Sequence, residues 1–332
     1  MLKYILKRLG FALITLLGVS LILYILLRCM PVDFIESKIA AITAGGQEVS
    51  QDVIKAMYET YGLADSSFFG IIKGYGSWLW SLVHFDFGTA FLSGASVLDD
   101  ITSRMGVSFS VAFIAIIFEY LIAIPLGVTA ATHQYSIRDY VVTIFVMIGI
   151  SLPSFFFGRV IQNLFALQLE WFPFTGLPAM PGEGAEEMLR YIGEYLRCIF
   201  LPVLVMVVLS IGGTMRYMRT NMLEVLNSDY IRTARAKGLK ESKVIYKHAF
   251  RNTMIPIVTM LAGVLPTLFS GAMITEQVFN LDGIGNYALK ATMSGDIPFI
   301  MTYNMFLAFL SVIGVLLSDL MYVVVDPRVK LS

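Results

Sequence analysis

The chain has 332 residues, 57% of them hydrophobic and only 14% charged, with a mean hydropathy of +0.75. That apolar content exceeds what a soluble domain of this length carries, so a water-soluble globular protein is excluded in favour of an integral membrane protein. With 24 basic and 24 acidic residues the net charge is zero, and only the placement of charge along the chain is informative.

A bilayer core about 30 Å thick needs roughly 20 apolar residues per helix. Six stretches reach that length: Leu9 to Leu27, Phe109 to Ala131, Tyr140 to Leu169, Ile199 to Met218, Ile257 to Val278 and Phe299 to Val325. Lys3, Lys7 and Arg8 precede the first stretch as in a secretory signal, but no small-x-small cleavage site follows, so the span is expected to be retained. Arg28 breaks any lipoprotein box before Cys29. The only other cysteine is Cys198, and the spacing suggests neither a disulfide nor a metal site.

With the N-terminus placed inside, the inner segments hold 15 of the 24 basic residues, whereas only Asp139, Glu224, Asp229, Glu241 and Asp326 of the acidic ones fall there. The positive-inside rule then puts both termini in the cytoplasm. The expected organisation is an N-terminal membrane helix (1–30), an extracytoplasmic segment (31–108), a five-helix core (109–325) containing a cytoplasmic segment (219–255), and a cytoplasmic tail (326–332). In the outer segment Val49 to Tyr61 has helical spacing, and Trp78, Trp80, Phe85 and Phe87 are candidate interfacial anchors. A second outer segment, Glu170 to Cys198, is acidic.

Three charges fall well inside expected spans, away from their ends: Glu119, Arg159 and Asp319. Each costs about 2.5 to 3.5 kcal/mol at a helix centre, so each is expected to face protein or water. A Glu119–Arg159 pair between adjacent spans, with Asp319 hydrogen-bonded inside the bundle, is the structural reading, and a proton relay is the functional one. Pro125, Pro153, Pro202, Pro256 and Pro266 interrupt the spans. Hydroxyls sit beside two of those breaks, which makes Ser151, Pro153, Ser154, Pro266, Thr267 and Ser270 candidates for a translocation pathway.

Between the fourth and fifth spans lies Tyr230-Ile231-Arg232-Thr233-Ala234-Arg235-Ala236-Lys237-Gly238-Leu239, in which cations alternate with small and apolar residues. The pattern predicts two short helices joined at Gly238, since glycine reaches backbone angles that other residues avoid. Ala234 and Ala236 permit close backbone approach, Tyr230, Ile231 and Leu239 are candidate apolar knobs, and Arg232, Arg235 and Lys237 can pair with acids on a partner. A docking element is the expectation; the bland alternative is a basic membrane-proximal loop.

Catalytic chemistry has little footing. The sequence has no Gly-Lys dipeptide for a phosphate-binding loop, no His-Glu-x-x-His and no Gly-x-Ser-x-Gly. His84, His133 and His248 are scattered, and Gly283-Ile284-Gly285 reads as a turn rather than a dinucleotide site. No enzyme activity and no metal site are expected.

Taken with Met1-Leu2-Lys3-Tyr4-Ile5-Leu6-Lys7-Arg8, His84-Phe85-Asp86-Phe87-Gly88, Leu152-Pro153-Ser154-Phe155, Glu276 to Gly285 and Val325-Asp326-Pro327-Arg328, the Tyr230 to Leu239 run resembles the B-type permease subunits of ATP-binding-cassette importers for oligopeptides and dipeptides. The resemblance spans almost the whole chain. It implies an all-α polytopic membrane protein with six transmembrane helices, the type I ABC importer fold, and cytoplasmic coupling helices. The coupling motif of that family places Arg232-Thr233-Ala234 where the general pattern has Glu-Ala-Ala, and His248 to Arg251 depart from its later Ile-x-Leu-Pro.

The resemblance further implies a C-type permease partner, two ABC ATPase subunits that bind ATP and Mg, and an extracytoplasmic substrate-binding protein. The expected location is a bacterial or archaeal cytoplasmic membrane, the expected cargo is peptide, and no nucleic acid is involved. Nickel, glutathione or sugar cargo in the same importer class, and an ion-coupled secondary transporter using the intramembrane charges, are the alternatives.

Overall fold

The computed structural model describes residues 2–29, 39, 67–174, 176–179, 182 and 184–325. The expected helix over Val49 to Tyr61 and the tail 326–332 lie outside the described residues. Among the described residues the secondary structure is helical, as backbone groups in lipid require when no closed sheet is present. In chain order the described helices longer than one turn are α1 (Leu2–Cys29), α2 (Phe68–Val83), α3 (Val97–Thr132), α4 (Ile137–Ser151) and α5 (Ser154–Gln162). They continue with α6 (Ala185–Leu226), α7 (Asp229–Ala236), α8 (Phe250–Ser270), α9 (Met273–Val278), α10 (Ile284–Met293) and α11 (Ile297–Val325). A π-helical turn, Asn163–Gln168, extends α5, and another, Val244–Ala249, leads into α8.

Among the described residues four helices are long and apolar enough to cross a bilayer unaided: Leu6–Leu26, Val97–Thr132, Ala185–Leu226 and Ile297–Leu320. The other two expected spans are broken. Ile137–Ser151 and Ser154–Gln168 meet at 98°, and Glu241–Met260 and Gly263–Val278 meet at 49°. Pro153 is the cause of the first break, since it caps α5 in an extended conformation and supplies no amide hydrogen. A 15-residue α4 rises only about 22 Å before that bend, so Tyr140 to Leu169 is not one straight crossing. Three expected boundaries fall inside continuous helices. Residue 109 lies within the 36 residues of α3, and residues 198 and 219 lie within the 42 residues of α6. At 1.5 Å per residue, α3 and α6 are about 54 and 63 Å long and outreach the hydrocarbon on their own.

The chain divides into two compact units, residues 1–104 with 287–312, and 105–286 with 313–332. In the first unit α1 meets α2 through Tyr24, which stacks on Trp78 with ring centroids 6.0 Å apart, and through Ser20, whose hydroxyl lies 2.8 Å from the Tyr75 hydroxyl. Trp78 therefore packs inside this pair, whereas Trp80 is exposed. Further along, buried Asp100 accepts from Arg104 Nη1 at 2.6 Å and from the Tyr287 hydroxyl at 2.8 Å. Arg104 also sits 4.2 Å over the Tyr287 ring. Burial, followed by the nearby Asp100 carboxylate, pushes the Tyr287 phenol up to about 12 and keeps it a donor.

The second unit is built on α3, α4 and α6. Asp139 meets Arg219 at one end of α4, and a side chain added at Gly149 would lie 2.7 Å from the Val208 carbonyl at the other. These pairings run antiparallel. Between α3 and α6, Ser110 pairs with Tyr195 and Glu119 with Thr214, a parallel register. Glycine at 149 removes the β-carbon that would hold α4 away from α6, the small-residue packing that joins helices where lipid offers no hydrophobic drive.

Candidate functional site

Segment 227–257 is built from one amphipathic turn outward. Ser228 stands at the N-cap of α7, and Ile231 and Ala234, three residues apart, point to the same side. Both are buried, in a cluster with Val128 and Ala131 of α3, Met218 and Met222 of α6, Val244, Ala249 and Ile257. The helix ends in a Schellman motif. Gly238 takes φ of +73°, its amide donates to the Arg235 carbonyl at 2.9 Å, and the Leu239 amide donates to the Ala234 carbonyl at 3.4 Å. Leu239 folds back against the same cluster. Across the turn, Arg235 makes a two-pronged pair with Glu241, 2.7 Å from Nη2 to Oε1 and 3.2 Å from Nε to Oε2. That pair holds the Arg235 guanidinium above its usual pKa through the Glu241 hydrogen bond. Asn252 donates to the Tyr230 hydroxyl at 3.1 Å and ties α7 to α8.

This geometry revises the expected roles. Ile231 is inside the bundle and is not a knob for a partner, and the close approach that Ala234 permits is to its own bundle, because their face is the one that the apolar ends of α3 and α6 cover. Leu239 is half-buried on the same side, and Arg235 is engaged by Glu241. The outward face consists of Tyr230, Arg232, Thr233, Ala236 and Lys237, with Gly238 at its edge. Gly238 is thus a fixed cap as much as a joint.

Of the intramembrane charges, Glu119 and Arg159 do not pair. Glu119 Oε1 accepts from the Thr214 hydroxyl. Arg159, exposed on α5 beyond the Pro153 bend, donates from Nη1 to Gln162 Oε1 at 2.8 Å, and Gln162 donates to the Phe174 carbonyl at 2.7 Å. The bend moves Arg159 away from the axis of the span that the sequence assigned to it. Asp319 is half-buried on α11, next to Ser318, whose hydroxyl lies 3.4 Å from the Thr259 carbonyl.

A cavity of about 420 Å³ opens between α3, α6, α8 and α9. Its walls include Ala112, Ala115 and Glu119 from one face of α3, with Ser210, Thr267 and Thr275 opposite. Of the six expected pathway residues it gathers Thr267 alone. Ser151, Pro153 and Ser154 sit at the α4–α5 bend, Pro266 lies within α8 and Ser270 at its end.

The sequence reading missed a buried carboxylate. Glu276, 1% exposed, accepts from the Ser108 hydroxyl at 2.7 Å, the Ala272 amide at 3.0 Å and the Asn286 amide at 2.9 Å. Ser108 in turn accepts from the Ile284 amide at 2.9 Å. A β-carbon at Gly283 would come within 2.6 Å of Ser108 Oγ, so this glycine leaves room for the carboxylate knot and does more than turn the chain. A lone acid in an apolar stretch, followed by Gly283 and Gly285, was the available signal. Among the described residues no group of three or more His, Cys, Asp or Glu is placed to hold a metal.

Residues 123–331 match the model of the family described as binding-protein-dependent transport system inner membrane component. The chain is 32% identical to the oligopeptide transport system permease protein AppB of Bacillus subtilis over 99% of its own length and all of that protein's. A Brucella abortus protein provisionally described as a peptide transport system permease is 33% identical, with 98% of each chain covered. The peptidoglycan transport system permease protein YejB of Agrobacterium fabrum is 27% identical, with 98% of this chain and 97% of that one covered.

Proposed function

This chain belongs to the family of binding-protein-dependent transport system inner-membrane components, and from that premise we propose that it is one of two permease subunits in an ATP-driven importer of short peptides. One observation carries the reading. Segment 229–239 has a face sealed into the bundle by Ile231 and Ala234 and a basic face, Arg232 and Lys237, left open at the end of α6. A part built in that way can pass a push from outside into membrane helices.

In this account two ABC ATPase subunits dock on the open face from the cytoplasm, where the positive-inside distribution also supports placing both termini. ATP and Mg belong to those partners; this chain supplies no catalytic group. Closure of the ATPases displaces α7. Because Ile231 and Ala234 share one cluster with Met218, Met222, Val128 and Ala131, displacement of α7 carries the inner ends of α3 and α6 with it. The Asp139–Arg219 pair hands the motion to α4. The second, C-type permease completes the pathway, and a binding protein delivers cargo at the outer surface of a bacterial or archaeal cytoplasmic membrane. Peptide cargo follows the descriptions of the relatives.

The test is uptake of labelled tripeptide by proteoliposomes holding the complete complex, with binding protein present. Uptake that requires ATP and survives a protonophore is the expected result. Uptake abolished by the protonophore and indifferent to ATP contradicts it, and ATP-driven uptake of nickel, glutathione or sugar but not peptide corrects the cargo.

A further inference from the structure

We propose that the cavity between α3, α6 and α8 is a subsite for the ammonium groups of cargo in transit, with Glu119 as its charge; the inference rests on the peptide-importer reading and adds a chemical preference to it. Glu119 uses Oε1 to accept from Thr214, and among the described residues no partner is recorded for Oε2. Two of the three hydroxyls on the wall, those of Ser210 and Thr267, have already spent their protons. Ser210 donates to the Met206 carbonyl at 2.8 Å and Thr267 to the Val264 carbonyl at 2.7 Å. Each keeps only lone pairs to offer, as the carboxylate does. Among the described residues no Lys or Arg lines the cavity. The wall therefore offers negative charge and mostly acceptors, with the Thr275 hydroxyl as a neutral donor, on an apolar ground of Ala112 and Ala115, which favours a cationic donor over an anion. Its volume, about 420 Å³, is that of a site for a small ligand. A helix of the second permease seated there would bury the carboxylate without a cation, an arrangement that membranes penalise.

The variants are Glu119→Gln, which preserves shape and the Thr214 hydrogen bond, and Ser210→Ala, which leaves Glu119 untouched. Complexes carrying each are compared with the unaltered complex for ATP-driven uptake of Ala-Lys-Ala and Ala-Glu-Ala in proteoliposomes. The binding protein is the same in every arm, so its own preference cancels in the ratio. Glu119→Gln is expected to lower the Lys-peptide to Glu-peptide ratio about fivefold to tenfold, the difference between a charged and a neutral acceptor. Ser210→Ala is expected to lower it about twofold. A ratio unchanged in both variants overturns the subsite while leaving the importer intact. Absence of ATP-driven uptake of either peptide by the unaltered complex overturns both readings.

Discussion

Arg219 grips both oxygens of Asp139, 2.8 Å from Nη2 to Oδ2 and 3.0 Å from Nε to Oδ1, and so fastens the first turn of α4 to the far end of α6. The Asp139 side chain is 6% exposed and Arg219 27%, and the Tyr135 amide donates to the same carboxylate at 3.1 Å. Removing one member leaves a buried charge, which costs about 3 to 5 kcal/mol. Arg219→Met should therefore lower the thermal midpoint of the purified protein well below that of Asp139→Asn/Arg219→Met. Equal midpoints for the two would show that the pair is not a joint.

The turn at Gly238 makes a separate claim. Its φ of +73° is strained for any residue with a β-carbon, and its amide holds the Schellman bond to Arg235. Gly238→Pro removes both the conformation and the donor, so ATP hydrolysis stimulated by the binding protein should be lost while the permease remains in the membrane. Arg235→Glu sets two carboxylates against each other at Glu241 and should act in the same direction. Transport unchanged in both would sink the docking role of this segment.

The two faces of α7 should separate in mutagenesis. Ile231 is fully buried, and Ile231→Ala should destabilise the protein by about 2 to 5 kcal/mol, the range for large-to-small changes in cores. Arg232 is exposed, and its 3.8 Å contact with Asp229 is of the weak surface kind. Arg232→Glu should leave the melting curve in place and reduce stimulated ATP hydrolysis. A stability loss from Arg232→Glu, or none from Ile231→Ala, would reverse the assignment of faces.

Glu276→Gln tests the buried carboxylate. Whichever way the amide is turned, its NH2 faces a donor, either the Asn286 amide or the Ala272 amide and Ser108 hydroxyl that Glu276 now receives. The lost and unmet hydrogen bonds cost about 1 to 3 kcal/mol. Faster hydrogen exchange at the amides of 284 and 286 is the expected signature, and unchanged exchange would contradict it.

Tyr287 gives a pH dependence. Its folded pKa, about 12, lies above the ordinary tyrosine value of 10.0, so the folded state holds the phenolic proton more tightly. The stabilisation is fully present below pH 10 and is lost as pH rises toward 12. Tyr287→Phe should flatten the alkaline limb of the stability curve and lower the plateau, because buried Asp100 loses a donor.

Hydropathy made the spans legible, since about 20 apolar residues have few other uses. Pro153 and Gly238 were legible for a comparable reason: the geometry of each residue is set by its own covalent structure. What stayed hidden depended on partners far along the chain. Ser108 and Glu276 are 168 residues apart and Asp139 and Arg219 are 80 apart, and no local pattern pairs them. The inward turn of Ile231 and Ala234 was hidden too, because an eight-residue helix between two possible covers does not say which cover its own chain supplies. The expected Glu119–Arg159 pair failed because the bend at Pro153 redirected one span.

The most direct test of the central claim is mass spectrometry of the proteins that co-purify with this chain, tagged and gently extracted from its own membranes. The account predicts two ABC ATPase subunits, a second permease and a peptide-binding protein, with the ATPases lost from Gly238→Pro. Recovery of the chain alone or as a homo-oligomer, under conditions that keep a known importer assembled, would contradict it.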